Sequence, residues 1–364
     1  MEKRKKIGLL LLAVIGITVA LIWGVRIQEM KNENTENLAD EEKNDDLKGM
    51  TIASVILLED QTEKVMQTAM RVTAEKYGAT VIEGQSGGEL ERETRLLSDY
   101  MEQEVDAICI YPVSPTGSLA GLENAAKQGI DIYSVDLSME SKWLTGYCEA
   151  NQYNIGQMVG KECAEYIREN FPDRKPKTAI IQFSALLPDT SKSRTRGFLS
   201  MTQSLIDVVQ DVDAWDASTS TPIVKEVLDA NPDLDMIFCA NEGGTVGAVM
   251  AVQNAGLKIP VFGIDITEQL VNMMLDDDNI LQALGGQDPV QLGERSMENL
   301  CRYLMGKDYE SEIVIPGILL SRSRPGEARD YIETMRQILE QGKKITRKPV
   351  SYTHLRAHET VLDL

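Results

Sequence analysis

The chain has 364 residues, of which 43% are apolar, so it is long enough to bury two separate cores. Its formal charge of -20 argues against nucleic acid as a partner, because such binding depends largely on neutralising phosphates with Lys and Arg. No cysteine spacing suggests a metal site, and Cys109 and Cys239 lie inside apolar segments, where we predict buried, inert thiols.

The chain begins with a basic segment followed by an apolar one. An uncharged run from Ile7 to Val25 follows the basic end and is about long enough to cross a bilayer. It is longer than the core of a cleaved signal peptide, no small-x-small site follows it, and no cysteine near its end could accept a lipid. We therefore predict an uncleaved anchor over residues 1–27 with its basic end in the cytoplasm, a cleaved signal peptide being the alternative. Residues 28–49 are rich in charged and amide side chains and are predicted to be a solvated tether.

Strands and helices alternate through most of the remaining chain. The first predicted series is strand 50–58, helix 62–77, strand 80–83, helix 90–103, strand 107–111, helix 118–127 and strand 130–135. After a change of pattern around 145–151, the second is helix 155–170, strand 178–183, helix 193–206, strand 208–214, helix 222–231, strand 236–239, a helix ending at 275, strand 281–284, helix 289–305 and a broken strand 313–321. Such alternation predicts an α/β fold with two doubly wound parallel-sheet lobes.

Two stretches of the chain, 129 positions apart, have the same pattern. Asp106 opens one unit and Asp136 ends it, and Asp235 and Asp265 do the same in the other. Each unit contains an apolar strand, a small-residue helix, a glycine and a second apolar strand that ends in the carboxylate. Because ligands of open parallel sheets bind outside the carboxyl ends of the strands, we expect Asp136 and Asp265 to face one cleft. The alternative is that either aspartate only caps the helix that follows it.

Six strand-end motifs, in the correct order, make residues 50–321 resemble the type 1 periplasmic binding proteins, and within them the ribose-binding branch. The motifs are Val105-Asp-Ala-Ile-Cys-Ile-Tyr-Pro112, the run 129–136, Arg194-Thr-Arg-Gly-Phe198, Cys239-Ala-Asn-Glu242, Phe262-Gly-Ile-Asp265 and Gly286-Gln-Asp-Pro289. The resemblance implies two lobes, joined by three crossings, that close on a small ligand by hinge motion. It divides the chain into lobe 1 (residues 50–150 and 288–316) and lobe 2 (residues 151–287 and 317–349).

The resemblance also implies a set of polar and aromatic side chains in the cleft. They are Asp136, Arg194, Trp215, Asn241, Asp265 and Gln287, with Asp60, Ser86 and Asn151 as further candidates. Their chemistry suits a sugar, whose hydroxyls both donate and accept hydrogen bonds. The ring of Trp215 would stack on the sugar, the alternative being that it only packs in the core.

Lobe 1 departs from the family pattern. Family members usually carry an aromatic pair in the first strand-helix loop, where this chain has Glu59-Asp-Gln-Thr-Glu63. Sugar binders commonly place Arg after the first aspartate, where this chain has Leu137, and Asn151-Gln152 replaces an Asp-Asn pair. These changes would suit a highly polar or cationic ligand. The alternative, which we favour, is that Glu59, Asp60 and Glu63 are solvated loop charges.

The function implied by the resemblance is non-catalytic. We expect an extracytoplasmic solute-binding protein, anchored in the cell membrane, that captures a small polyhydroxylated ligand, a sugar being the first candidate, for an ABC importer. The alternative is a membrane-tethered input protein for a sensor kinase. No cofactor or metal is implied. A glycoside-active enzyme is less favoured because lobes that close around a whole sugar leave no path for a leaving group.

The last segment stands apart from the rest. Residues 350–364 resemble a translated sequencing adapter and are set aside as an artefact. They contain His354 and His358, the only two histidines of the chain. Without them, histidine-based acid-base catalysis and His-ligated metal have no residue to use.

Overall fold

The structure is a computed structural model that describes residues 46–341. The predicted anchor, nearly all of the tether and the adapter-like segment lie outside the described residues. Among the helices between residues 46 and 341, none is both long and apolar enough to span a bilayer.

The first sheet, in lobe 1, has six parallel strands in the order β11-β5-β4-β3-β1-β2. The strands are β1 (Thr51–Ile56), β2 (Thr80–Gln85), β3 (Ala107–Ile110), β4 (Asp131–Val135), β5 (Leu144–Ala150) and β11 (Glu312–Ile315). The helices are α1 (Gln61–Lys76), α2 (Leu90–Glu102), α3 (Leu119–Lys127) and α9 (Pro289–Leu304). Side chains of α1 and α9 fill the core on one face, and those of α2 and α3 fill the core on the other. Both faces are covered, which explains the fully buried apolar strand β3.

The second sheet, in lobe 2, has the order β12-β10-β9-β8-β6-β7, and only its edge strand β12 is antiparallel. The strands are β6 (Lys177–Gln182), β7 (Asp207–Asp213), β8 (Met236–Cys239), β9 (Val261–Ile264), β10 (Leu281–Gly286) and β12 (Ile318–Ser321). The helices are α4 (Gln152–Asn170), α5 (Pro188–Thr202), α6 (Ala217–Ala230), α7 (Glu242–Asn254), α8 (Glu268–Leu275) and α10 (Pro325–Gln341). Helices α4 and α5 cover one face, and α6, α7, α8 and α10 cover the other. The prediction of two α/β lobes with mainly parallel sheets is confirmed.

The chain passes between the two sheets three times. The first crossing follows β5 at Asn151, the second follows β10 at 287–288, and the third, at 316–317, joins β11 to β12. The first and third crossings are bonded to each other, because the Asn151 N–H donates to the Ile315 carbonyl (2.8 Å) and the Gly317 N–H donates to Asn154 Oδ1 (3.1 Å). A Cβ on Gly317 would lie 2.4 Å from Ile155 Cγ1, so glycine allows this close approach.

Three parts of the prediction are wrong. The change of pattern around 145–151 is strand β5, and the single broken strand 313–321 is two strands in different sheets. Strand β5 lies between β4 and β11, and its sequence, which includes Gly146 and Glu149, lacks the uninterrupted apolar run of β3. Helix α6 begins well before Pro222, because the Asp216 side chain accepts from the N–H groups of Ser218 and Thr219 and caps it there.

The two repeated units form the same contact at their starts. Asp106 Oδ2 accepts a hydrogen bond from the N–H of Thr51, at 2.7 Å, and Asp235 Oδ2 accepts one from the N–H of Lys177, at 2.8 Å. Thr51 and Lys177 each open the strand next to the one that the aspartate precedes. The aspartates therefore join corresponding strands at the amino ends of the two sheets.

The cysteines lie where the sequence predicts them. Cys109 and Cys239 are fully buried and form no disulfide, and three other cysteines of the described chain are also buried and free. Burial raises the pKa of the Cys239 thiol well above its usual range, which keeps the thiol protonated and unreactive.

Candidate functional site

A cavity of about 180 Å³ lies between the carboxyl ends of the two sheets. Its walls come from the segments that follow β1, β3, β4, β8 and β9 and from the second crossing. The lining residues are Asp60, Thr62, Glu63, Met66, Tyr111, Asp136, Glu242, Asp265, Ile266, Thr267, Gln287, Pro289 and Leu292. This is the position at which parallel α/β sheets bind ligands.

Polar residues gather at this edge partly because helices begin there. Asp60 caps α1, Asn241 caps α7 and Thr267 caps α8, in each case with its side-chain oxygen on a backbone N–H of the first turn. Short polar side chains are favoured at such positions because they satisfy N–H groups that have no partner within the helix. Capping chemistry therefore supplies part of the polar wall of the cleft.

Asp136 and Asp265 occupy corresponding positions in the two lobes. Both have left-handed backbone conformations, with φ of 57° and 77°, which are uncommon for residues other than glycine. Both backbone N–H groups donate over 2.7 Å to a carbonyl of the next strand, at Cys148 and Gly285. Neither caps a following helix, since β5 follows Asp136 and Thr267 caps α8. The capping alternative is therefore wrong, and both aspartates line the cavity.

On the lobe 2 side, the Asp265 carboxylate is held at both oxygens. Its Oδ1 lies 3.0 Å from Arg194 Nη1, and its Oδ2 accepts from the N–H of Glu242 at the start of α7 (2.9 Å). A helix N-terminus favours a carboxylate at this point.

Arg194 is 5% exposed and is shared among several partners. Its Nε donates to Gln152 Oε1 (2.8 Å) and its Nη1 to the carbonyl of Ala240 (3.0 Å). The guanidinium therefore fixes Asp265 from behind and does not itself line the cavity.

On the lobe 1 side, Asp136 lies beside Gln287 and Tyr111. Gln287 Nε2 donates to both carboxylate oxygens of Asp136, at 2.9 and 2.8 Å, and the Tyr111 hydroxyl is also hydrogen-bonded to this carboxylate. Burial raises the pKa of Asp136 to about 7, although these hydrogen bonds and the charge of Arg194 act in the opposite direction. Asp136 is therefore partly protonated near neutral pH.

Glu63 is a buried cavity residue, and the prediction that it is a solvated loop charge is wrong. Its side chain is 8% exposed, and Oε2 accepts from the N–H groups of Leu57 (2.7 Å) and Leu58 (2.9 Å). Burial raises the pKa of Glu63 to about 8, and the nearby charges of Asp60 and Asp136 raise it further. The spacing Asp60-x-x-Glu63 is that of a capping box, which directs the third helical residue back toward the preceding segment. That signal could have indicated the position of Glu63.

The other two acidic residues of this loop differ from Glu63. Glu59 is exposed and forms an ion pair with Lys64 at 2.9 Å, so here the prediction of a solvated charge is confirmed. Asp60 accepts from the N–H of Glu63 at 2.8 Å, caps α1 and lines the cavity.

Glu242 and Tyr111 also line the cavity and were not singled out from the sequence. Burial raises the pKa of Glu242, and a hydrogen bond from Thr267 only partly offsets this. Both residues lie within motifs that follow a buried strand. Taking every polar residue at those strand ends, and not only the family positions, would have included them.

Besides Arg194, four predicted site residues lie away from the cavity lining. Asn241 accepts from the N–H of Gly244 and donates Nδ2 to the Trp215 carbonyl (2.7 Å). Trp215 is 46% exposed on the loop after β7, so it neither packs in the core nor lines the cavity. Ser86 is fully buried with its hydroxyl directed to the Leu57 carbonyl, and Asn151 caps α4. Local contacts account for the positions of Asn241, Ser86 and Asn151.

This fold and this cleft define a class of protein: two α/β lobes with a polar cavity at their facing strand ends. The family model described as "Periplasmic binding protein domain" matches residues 55–308. The chain belongs to this family, and its resemblance to the type 1 periplasmic binding proteins is confirmed.

Individual relatives agree with this assignment. The chain is 25% identical over 257 residues to the ABC transporter periplasmic-binding protein YphF of Escherichia coli, covering 68% of this chain and 77% of that protein. It is 24% identical over 246 residues to the ribose import binding protein RbsB of Bacillus subtilis, covering 67% and 77%. A crystal structure of an ABC transporter periplasmic solute binding protein from Actinobacillus succinogenes with bound D-allose superposes with a TM-score of 0.67 at 22% identity, covering 76% and 99%.

Proposed function

We propose that this protein is an extracytoplasmic solute-binding protein that captures a small polyhydroxylated ligand between its two lobes and delivers it to an ABC importer. The observation that carries the proposal is the cavity at the facing strand ends, lined by Asp136 from lobe 1 and Asp265 from lobe 2. Closing the lobes around a ligand would bring donors and acceptors from both sheets onto its hydroxyl groups. Relatives named as ribose, fructose and D-allose binding proteins support a sugar-like ligand.

A thermal-shift screen of sugars and cyclitols on the full chain tests this proposal. A ligand that binds only the folded state raises its melting temperature. We expect at least one polyhydroxylated compound to do so, and we expect Asp265→Asn to reduce that shift. If no member of such a screen shifts the melting temperature, the proposal fails.

A second candidate is the input protein of a sensor kinase, tethered to the membrane by residues 1–27. The uncharged run from Ile7 to Val25, without a lipid-acceptor cysteine near its end, favours this role over that of a lipoprotein of an importer. Membrane fractionation with an alkaline carbonate wash tests the anchor, since a spanning segment resists extraction. Reconstitution with a permease or with a sensor kinase, each measured with and without ligand, separates the two roles.

Catalysis is not part of the proposed function. Relatives in this family are named as binding proteins, and the carboxylates of the cleft are engaged with Gln287, Arg194 and backbone N–H groups. Incubation with chromogenic glycosides tests this directly. Turnover that disappears in both Asp136→Asn and Asp265→Asn would contradict a purely binding role.

A further inference from the structure

We propose that the ligand held in this cavity carries a positive charge, in the form of a protonated amine on a polyhydroxylated ring or chain. This inference rests on the proposed function, because it assigns a chemical class to the ligand of the same cleft. It follows from the charges that line the cavity, from one carboxylate oxygen without a donor, and from the scarcity of aromatic surface.

The cavity is lined by acidic side chains and by no basic one. Five carboxylates face it, and none of its lining residues is Lys, Arg or His. They are Asp60, Glu63, Asp136, Glu242 and Asp265. Of these five, Asp265 alone forms an ion pair with a described residue, Arg194, and that guanidinium is also bonded to Gln152 and Ala240. When the lobes close, a cationic ligand would offset the charge of those carboxylates that are ionised, whereas a neutral ligand would not.

Glu63 provides a specific point of attachment. Its Oε2 accepts both backbone N–H groups from the end of β1, while no described residue donates to its Oε1. Glu63 is 8% exposed, and it lines the cavity. The Oε1 atom is accessible from the cavity, where an ammonium group would supply three donors. The fixed Oε2 holds the free Oε1 in place for such a donor.

The proton affinities of the cleft agree with this geometry. Burial raises the pKa of Glu63 to about 8 and that of Asp136 to about 7, and it also raises the pKa of Glu242. Glu63 and Asp136 are therefore protonated in part near neutral pH, chiefly because burial disfavours their charged forms. A bound ammonium group would take the place of those protons, which a neutral polyol cannot do.

The cavity offers little surface for stacking on a neutral sugar ring. Tyr111 is the single aromatic residue among those that line it, and its hydroxyl is bonded to Asp136. Trp215, the aromatic residue expected from the family resemblance, lies outside the lining. Nor do the carboxylates of the described chain group as ligands of one metal ion. Recognition in this cleft therefore depends mainly on charge and hydrogen bonds to separate points of an organic cation.

Calorimetric titration of the full chain with matched ligands tests the inference. Each set comprises a neutral sugar or cyclitol, its primary amine counterpart and the N-acetylated amine, which keeps the nitrogen but loses the charge. We expect the amine of at least one set to bind at least tenfold more tightly than its two neutral partners. If a neutral member binds as tightly as its amine or more tightly, the inference is overturned while the proposed function stands. If no member of any set binds, both are overturned.

Two variants then assign the effect to the cleft. Glu63→Gln keeps the shape of the side chain and an acceptor for the N–H groups of Leu57 and Leu58, but it removes the charge. We expect it to weaken binding of the amine at least tenfold. Glu59→Gln removes an equal charge from the same loop at an exposed position, and we expect binding within twofold of the parent chain. Unchanged amine binding in Glu63→Gln would overturn the inference.

Discussion

Gln287 joins the second crossing to lobe 1 by donating its Nε2 to both carboxylate oxygens of Asp136, at 2.9 and 2.8 Å. Gln287 lies directly after β10 of lobe 2 and directly before the segment that returns to lobe 1. Any rotation of the lobes about this crossing therefore changes the surroundings of a residue that lines the cavity. This contact links occupancy of the cleft to the arrangement of the lobes.

The strand-end aspartates should be tested as asparagines. Asn tolerates the left-handed backbone that both positions have, whereas Ala would add strain unrelated to the ligand. We expect Asp265→Asn to weaken ligand binding by about 1.5–3 kcal/mol, the value of a hydrogen bond to a charged group, or roughly ten- to a hundredfold. Calorimetry measures the affinity. Asp229→Asn, at an exposed position on α6, is the matched control and should bind normally.

The free energy of unfolding should depend on pH through the protonation of Glu63. Its pKa of about 8 in the folded protein exceeds the usual value of 4.5, so the native state holds more protons than the unfolded state between these limits. Stability without ligand should therefore fall as pH rises from about 5 to 8. Burial is the main cause of the raised pKa, the charges of Asp60 and Asp136 act in the same direction, and the N–H groups of Leu57 and Leu58 act against it.

Urea unfolding at pH 5 and pH 8 measures this effect. In Glu63→Gln the free energy of unfolding should decrease less between pH 5 and pH 8. At pH 8 it should exceed that of the parent chain by more than about 1 kcal/mol. Glu59→Gln should keep the parental slope over this range, because an exposed ion pair lowers the pKa of Glu59. Equal slopes for the parent chain and Glu63→Gln would contradict the prediction.

Arg194 should matter for folding as well as for binding. Arg194→Ala removes the partner of Asp265 and leaves Gln152 and the Ala240 carbonyl without their donor. We expect a loss of about 1–3 kcal/mol, the cost of leaving buried polar groups without a partner, measured by urea unfolding. Arg196→Ala on the same helix, at an exposed position, should change stability by less than about 0.5 kcal/mol. Equal effects of the two changes would remove the special role of Arg194.

The third crossing should be sensitive to a single methyl group. Gly317→Ala places a Cβ 2.4 Å from Ile155 Cγ1 and 3.0 Å from the Gly286 carbonyl oxygen, which are distances that require movement. We expect a loss of about 1–3 kcal/mol from overpacking, measured by thermal unfolding. Gly326→Ala meets no atom within 4 Å and serves as the control. A similar melting temperature for both variants would show that the crossing tolerates the added group.

Asp106 and Asp235, which directly precede β3 and β8, should affect the stability of the protein without affecting ligand binding. Asp235→Ala removes a charge-assisted bond to the Lys177 N–H together with the ion pair to Arg174, and we expect a loss of about 1.5–3 kcal/mol. Asp106→Ala removes a bond to the Thr51 N–H at an exposed position, and we expect about 0.5–1.5 kcal/mol. Denaturant unfolding measures both losses, and calorimetry should show parental affinity. Weaker binding in either variant would show that the amino ends of the sheets influence the cleft.

Local sequence patterns predicted most of the fold. Strands such as β3 and β8 are uninterrupted apolar runs because both faces of each sheet are covered, so they stand out from their neighbours. Strand β5 does not, because it includes Gly146 and a polar residue, Glu149, and one of its two neighbours in the sheet, β11, lies far along the chain. Segments that are defined by partners far along the chain leave little trace in local periodicity.

The site was partly predictable for a related reason. Asp136 and Asp265 follow buried strands directly, so their place at the sheet edge follows from the topology. Glu63 lies in the first turn of a helix, and only the packing of that helix on β1 brings its carboxylate into the cavity. Trp215 follows β7, the edge strand of its sheet, and the end of that strand lies away from the cavity.

The repeated aspartates at the amino ends of the two sheets bear on how the binding site can evolve. Asp106 and Asp235 fasten neighbouring strands at the ends farthest from the cleft, while the residues that meet the ligand lie at the other ends. Substitutions among the residues that meet the ligand therefore leave these hydrogen bonds intact. Each half can therefore keep its fold while the residues at the cleft are exchanged to suit a different solute.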